Sequence, residues 1–155
     1  CYNEEKGGVF IMLTAYNKIL VAIDGSVQSE KAFKESVEIA KRNHAKLYLT
    51  WIINDIELTT SAYSFAKLLT EEQEFVEDFM AKKVKEAKEL GIEEIETIIE
   101  IGSPKRKISV DVPNEYDIDL IIMGSTGKGA ITQASVGSTT SYVVNHAPCN
   151  VLVVK

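Results

Sequence analysis

Lys18-Ile-Leu-Val-Ala-Ile-Asp24-Gly-Ser26 is an unbroken apolar run closed by Asp-Gly-Ser. A strand with one wet face alternates apolar and polar residues. An unbroken run belongs to a strand covered on both faces, as in a parallel sheet lying between helices. Ser26 is placed to cap a helix. Val27 to Arg42 then carries Phe33, Val37 and Ala40 at helical spacing, with Ala32, Ser36 and Ile39 beside them.

Outward from that run the pattern repeats. Lys46-Leu-Tyr-Leu-Thr-Trp-Ile-Ile53 is a second strand, rich in aromatic and β-branched residues. Asn54 to Leu69, with weak periodicity and many Ser and Thr, reads as a long, partly ordered connection. Thr70-Glu-Glu-Gln73 matches a capping box. The helix it opens runs to about Leu90 with Val76, Met80, Val84 and Ala87 on one face, and Gly91 stops it. Glu94 to Ile101 is the third strand. Ser103-Pro104 starts a helix that Pro113 is expected to keep short. Ile118-Asp-Leu-Ile-Ile-Met123 is the fourth strand. A glycine-rich loop follows, then a helix from Gly137-Ser138 to about His146, Pro148 as its stop, and Asn150 to Val154 as a fifth strand.

Strands alternating with helices give a single-domain α/β fold, a doubly wound five-stranded parallel sheet with helices on both faces. Right-handed crossovers restrict the topology, and ligands in such sheets bind beyond the C-terminal strand ends, where the winding reverses. If the first and fourth strands flank that point, Asp24-Gly-Ser and Gly124-Ser-Thr-Gly127 line one crevice. We expect residues 16–155 to form this domain and residues 1–15 to be an extension, tag-derived or disordered. Met12 followed by a short lead into the strand has the look of a native start.

The chain has 155 residues and a net charge of -6, so broad binding to nucleic acid or to an anionic membrane is not expected. A phosphate site must then be local, built from backbone N–H groups and a helix end. No apolar run approaches the roughly 18 residues of a membrane span. The two cysteines, Cys1 and Cys149, stand at opposite ends with no CxxC pair. The expectation is a reduced, cytoplasmic protein.

The loop reads Gly124-Ser-Thr-Gly127-Lys-Gly-Ala-Ile-Thr-Gln-Ala-Ser-Val-Gly137-Ser138-Thr139. Gly124 ends a strand, where a residue without Cβ lets a ribose or phosphate come close. Gly127 presents an N–H in a turn. Gly137-Ser138-Thr139 opens a helix, with free N–H groups and two hydroxyls at the positive end of its dipole. The plain alternative is a loop whose glycines only shape a turn. Three glycines, a Ser at the helix start and the position after the fourth strand favour a phosphate cradle.

The spacing G-x2-G-x9-G-[ST] after a strand ending in Met-Gly resembles the ATP-binding motif of the universal stress protein family. Lys18–Ser26, Asp117–Ser125 and Ala147–Val154 are similar to that family's first, fourth and final strands, so the resemblance covers essentially residues 16–155. It implies that Asp24 lies by the nucleoside and phosphates. It implies backbone bonds to adenine from about Ile52, with Met123 and Gly124 flanking the ribose. Gly127, Gly137, Ser138 and Thr139 would hold phosphates, and Ala22 and Ile23 would form pocket wall. The implied cofactor is ATP, with Mg2+ or Mn2+ carried by the phosphates. Pro113 and the flexible Lys128-Gly129 depart from the pattern.

Other residues receive plainer readings. Lys128 and the Lys105-Arg-Lys107 run read as solvated, and Trp51 as core. His44 suits a helix C-terminus. His146 and Cys149 pack beside Pro148. Asp117 and Asp119 face solvent at a strand start. The turn after the first strand lacks the G-x-G-x-x-G of a dinucleotide enzyme. No Ser-His-Asp set or acid/base carboxylate pair is visible. The leading reading is therefore an ATP-binding stress-response or signalling module, with slow or no hydrolysis. The alternatives are a genuine ATPase, and a nucleotide-free or AMP/cAMP-binding interaction protein of the same fold. Val151 to Val154, apolar and at the sheet edge, suggests a homodimer through antiparallel pairing.

Overall fold

The computed structural model describes residues 3–6, 9–12, 15–58, 62–127 and 135–155. Strands β1 (Asn3–Lys6) and β2 (Val9–Met12) pair antiparallel as a ribbon separate from the main sheet. The main sheet comprises β3 (Lys18–Ala22), β4 (Lys46–Ile53), β5 (Ile95–Ile101), β6 (Leu120–Gly124) and β7 (Asn150–Val154), in the order β5-β4-β3-β6-β7, with every pair parallel. The chain winds outward from β3 through β4 to β5, then crosses to β6 and β7. The winding reverses between β3 and β6, which meets the condition for the two turns to line one crevice.

Helix α1 (Val27–Asn43) begins where Ser26 Oγ accepts the N–H of Ser29 at 3.1 Å. It ends on His44, whose backbone enters the left-handed region at φ 52° while its N–H returns to the last turn. Phe33, Val37 and Ala40 join Ile19, Val21, Leu47 and Leu49 in the core on one face of the sheet. Leu20, Tyr48 and Ile121 point the other way, against Ile108, Val112 and Val143. Alternate residues of β3 feed opposite layers, which is why the run at Ile19–Val21 is apolar throughout.

Helix α2 spans Ala62–Glu89. The expected connection from Asn54 to Leu69 is instead a short 3-10 turn at Asp55–Leu58 and two turns of helix beginning at Ala62. Thr70 therefore caps nothing. It lies inside the helix, and its hydroxyl donates to Ala66 O at 3.0 Å, one turn back. Val76, Met80 and Ala87 are buried, with Val84 at the margin. Gly91 takes φ 105° at the end, as a stop glycine does.

Pro113 does not shorten its helix. Helical backbone runs from α3 (Pro104–Arg106) through a widened π turn at Lys107–Asp111 to α4 (Val112–Tyr116). In an ordinary turn the proline ring would strike the carbonyl four residues back. Here the turn is widened before the ring arrives, and the Val112 N–H reaches the Lys107 carbonyl five residues back. Asp119 does not simply face solvent. Its two carboxylate oxygens accept the N–H groups of Asn17 (2.7 Å) and Lys18 (3.1 Å), fixing the start of β3 against β6. Helix α5 (Ser138–His146) and β7 complete the chain. Among the described residues no helix is long and apolar enough to cross a membrane.

Candidate functional site

Beyond β3 the chain turns sharply. The Ser26 N–H donates to Asp24 Oδ1 at 2.9 Å, and Gly25 takes φ +82°. A β-carbon at Gly25 would lie 3.2 Å from the Trp51 ring, so this turn is seated on that ring. Beyond β6, the Ser125 N–H donates to Val154 O at 2.8 Å, and the Gly137 N–H returns to Ser125 O at 2.7 Å. Thr140 Oγ1 donates to Gly124 O at 2.8 Å and is buried. These three bonds fix both ends of the glycine loop and set the start of α5 over the end of β6. Lys128 and Gly129 lie outside the described residues.

Gly137 is the N-cap of α5, extended at φ -65°, ψ 160°, and no side chain caps the helix. Ser141 is the first residue whose N–H reaches back, to Gly137 O. The N–H groups of Ser138, Thr139 and Thr140 precede the intrahelical ladder and lie at the positive end of the helix dipole.

Both turns open into a cavity of about 690 Å³. This lies within the range of small-molecule sites. Strand β3 contributes Ala22 and then Asp24, β4 contributes Ile52, and β6 contributes Met123 and Gly124. Gly127, Gly137, Ser138 and Thr139 complete the nine positions singled out in the sequence, and all nine line this one cavity, as does Ile23. Trp51 is both core and wall: 5% exposed, it packs edge-on against Phe79 at 5.4 Å and Phe75 at 6.2 Å, yet borders the cavity.

The glycines differ in what demands them. A β-carbon at Gly124 would meet Gln28 Cβ at 2.8 Å and its main-chain carbon at 2.9 Å. Gly124 is thus required by the approach of α1, whether or not a ligand also comes close to it. A β-carbon at Gly127 would meet Asp24 Oδ2 at 2.8 Å. At Gly137 the nearest atoms stand at 3.5 Å, ordinary contact, so the protein's own packing leaves that position open.

Sequence reasoning missed several wall residues. Pro104 and Ile108 enter from the far face of the sheet, Ser29 from the start of α1, and Glu72 from α2. Glu72 precedes Phe75 and Phe79 by three and seven residues, the spacing of one helix face, but the capping-box reading placed it in a first turn. Among the described residues that line the cavity, Asp24 and Glu72 are the charged ones, and none is basic. No group of three or more His, Cys, Asp or Glu side chains suited to a metal converges among the described residues.

Comparison with known proteins agrees with this architecture. Residues 15–155 match the model of the universal stress protein family. A universal stress protein of Staphylococcus haemolyticus is 38% identical over 144 residues, covering 93% of this chain and 87% of that protein. The solved structure of a universal stress protein from Lactobacillus plantarum superposes with a TM-score of 0.83 at 37% identity, covering 90% of this chain and 98% of that one. Two more distant structures share the fold. One is a universal stress protein in complex with cAMP (TM-score 0.69, 24% identity, 90% and 97% covered). The other is from Archaeoglobus fulgidus in complex with dAMP (0.64, 20%, 91% and 99%). With a sheet wound in the order β5-β4-β3-β6-β7, a glycine loop that returns onto β6, and a family match spanning nearly its whole length, the chain belongs to the universal stress protein family.

Proposed function

We propose that this protein binds ATP in the cavity between β3 and β6 and serves as a nucleotide-linked stress-response or signalling module. The observation that carries the reading is the start of α5. A helix with no side-chain cap turns its first N–H groups toward a cavity that Gly127 and Gly137 also line. Such an end suits a phosphate group, because donors and dipole point the same way. The nucleoside then lies across Met123 and Ala22 toward Ile52. With no converging metal ligands among the described residues, Mg2+ or Mn2+ is carried by the phosphates, and Asp24, set against Gly127, is the carboxylate beside it. Hydrolysis is slow or absent in this reading, since the described lining, with Asp24 and Glu72 as its charged residues, shows no carboxylate positioned as a base for water.

Two relatives of the same fold, solved with cAMP and with dAMP, favour a second reading in which an adenine mononucleotide occupies the same cavity. Mass spectrometry of ligand released from freshly purified protein separates the two. Recovered ATP supports the first reading and recovered AMP or cAMP the second. Failure of millimolar adenine nucleotides to raise the Tm rejects both. The protein acts in the cytoplasm and as a homodimer joined through β7.

A further inference from the structure

We infer that Glu72 selects the charge of the ligand this cavity admits, disfavouring an un-neutralised polyphosphate. The inference rests on the nucleotide reading above and adds to it which ionic form of the nucleotide is taken.

Glu72 is half-buried and lines the cavity, the one described residue of α2 that does so. Its helix is firmly seated there. Phe75 and Phe79, on the same face, pack against the Trp51 ring at 6.2 and 5.4 Å, and Val76 beside them is fully buried. The backbone that carries Glu72 is therefore fixed beside the wall that β4 presents.

Among the described lining residues the charges do not balance for a free triphosphate. Two helix N-termini face it, α1 through Ser29 and α5 through Ser138 to Thr140. Each offers about half a positive charge. Against them stand two full negative charges, Asp24 and Glu72, and no Lys, Arg or His among the described lining residues. Cavities with low-dielectric walls focus such fields. A ligand entering with several uncompensated negative charges is repelled. A ligand that is neutral, singly charged or paired with a divalent cation is not. Asp24 is tied into the turn after β3 by the Ser26 N–H. Glu72 stands outside that turn, so it sets the balance without shaping the phosphate end.

The test uses the full chain and Glu72→Gln, with Tm confirming an intact fold. Dissociation constants are measured by calorimetry at low ionic strength for adenosine, AMP, ADP and ATP with EDTA present, and for ATP with excess Mg2+. On Glu72→Gln the ratio of free-ATP to adenosine affinity is expected to rise roughly three- to tenfold, with AMP between and Mg-ATP shifting least. The rise should shrink at about 0.5 M salt, where charges are screened. An equal change for adenosine and free ATP would show a direct contact instead and overturn the inference. So would no change at all. If adenosine and all the nucleotides fail to bind the unaltered chain, the nucleotide reading itself falls. That outcome is distinct from a series that binds without regard to charge.

Discussion

Asp24 occupies the space a side chain at Gly127 would need: a β-carbon there would stand 2.8 Å from Asp24 Oδ2. This contact joins the turn leaving β3 to the loop leaving β6, so the two halves of the winding meet at the point where the chain reverses direction. It also makes Gly127 a reporter of the site rather than of the fold. The obstructing atom is the end of a side chain, which can swing away. Gly127→Ala is expected to change stability by less than about 1 kcal/mol. It should weaken nucleotide binding at least tenfold, because the displaced carboxylate and the new methyl group both intrude on the phosphate end. Urea unfolding and calorimetric titration on the same preparation check the two halves of this expectation.

Gly124 and Gly137 should behave in opposite ways. At Gly124 a methyl group would press on the main chain of Gln28 at 2.9 and 3.0 Å, and a helix backbone cannot rotate aside. Gly124→Ala is expected to destabilise by about 1–3 kcal/mol, as overpacking does. At Gly137 the backbone is extended and the nearest atoms are 3.5 Å away. Gly137→Ala should cost at most about 1 kcal/mol, the loss of a favourable N-cap residue. Its methyl group stands at the cavity wall, so nucleotide affinity should fall while the fold persists. Equal stability losses for the two variants would contradict this division.

Lys83 links α2 to α1. Its ammonium lies 2.5 Å from Glu30 and 3.0 Å from Glu86, and 4.8 Å from the centre of the Phe33 ring. Burial pushes its pKa down, but the hydrogen bonds to Glu30 and Glu86, with their charges, outweigh burial and leave it raised. A raised lysine pKa means that the folded state holds the proton more tightly than the unfolded one. The stabilisation is therefore fully present below the unfolded value and is lost as pH rises through the folded one. Lys83→Met should cost roughly 1 kcal/mol at neutral pH, less than a fully buried pair, because both glutamates are about a third exposed or more. Urea midpoints compared from about pH 7 to pH 11 should converge at the alkaline end.

Much of this molecule could be read from residue order because local and global preferences agree. Ile19 to Val21 are apolar throughout because both faces of β3 are covered, and the alternation of strands and helices gives the parallel sheet, while the strand order that puts the reversal between β3 and β6 is read from the structure. The readings that failed each took a short-range signal at face value. Thr70-Glu-Glu-Gln73 looks like a helix start, but the turns ahead of it are helical and Thr70 satisfies its hydroxyl within them. Pro113 looks like a stop, but a widened turn absorbs it. Asp119 looks solvated, yet its partners, the N–H groups of Asn17 and Lys18, lie about a hundred residues away in the chain. Glu72 lines the cavity from well inside a helix that starts at Ala62, and only the packing of α2 against β4 brings it there.

The two edges of the sheet differ in how they meet water. The β5 edge carries Glu96, Thr97 and Glu100, and charged side chains discourage a further strand from pairing there. The β7 edge reads Asn150-Val-Leu-Val-Val154, with no charge and four half-buried apolar side chains. An apolar, unpaired edge of this kind favours association with a second copy, strand against strand. At tens of micromolar, light scattering is therefore expected to give twice the 17.2 kDa chain mass. Val153→Lys, which places an ammonium on the edge while leaving the β6 pairing intact, should return the chain to a monomer with little change in unfolding free energy per chain. A monomeric unaltered chain at that concentration would rule the β7 contact out. A dimer that survives Val153→Lys would point to another surface, such as the exposed Val144 on α5.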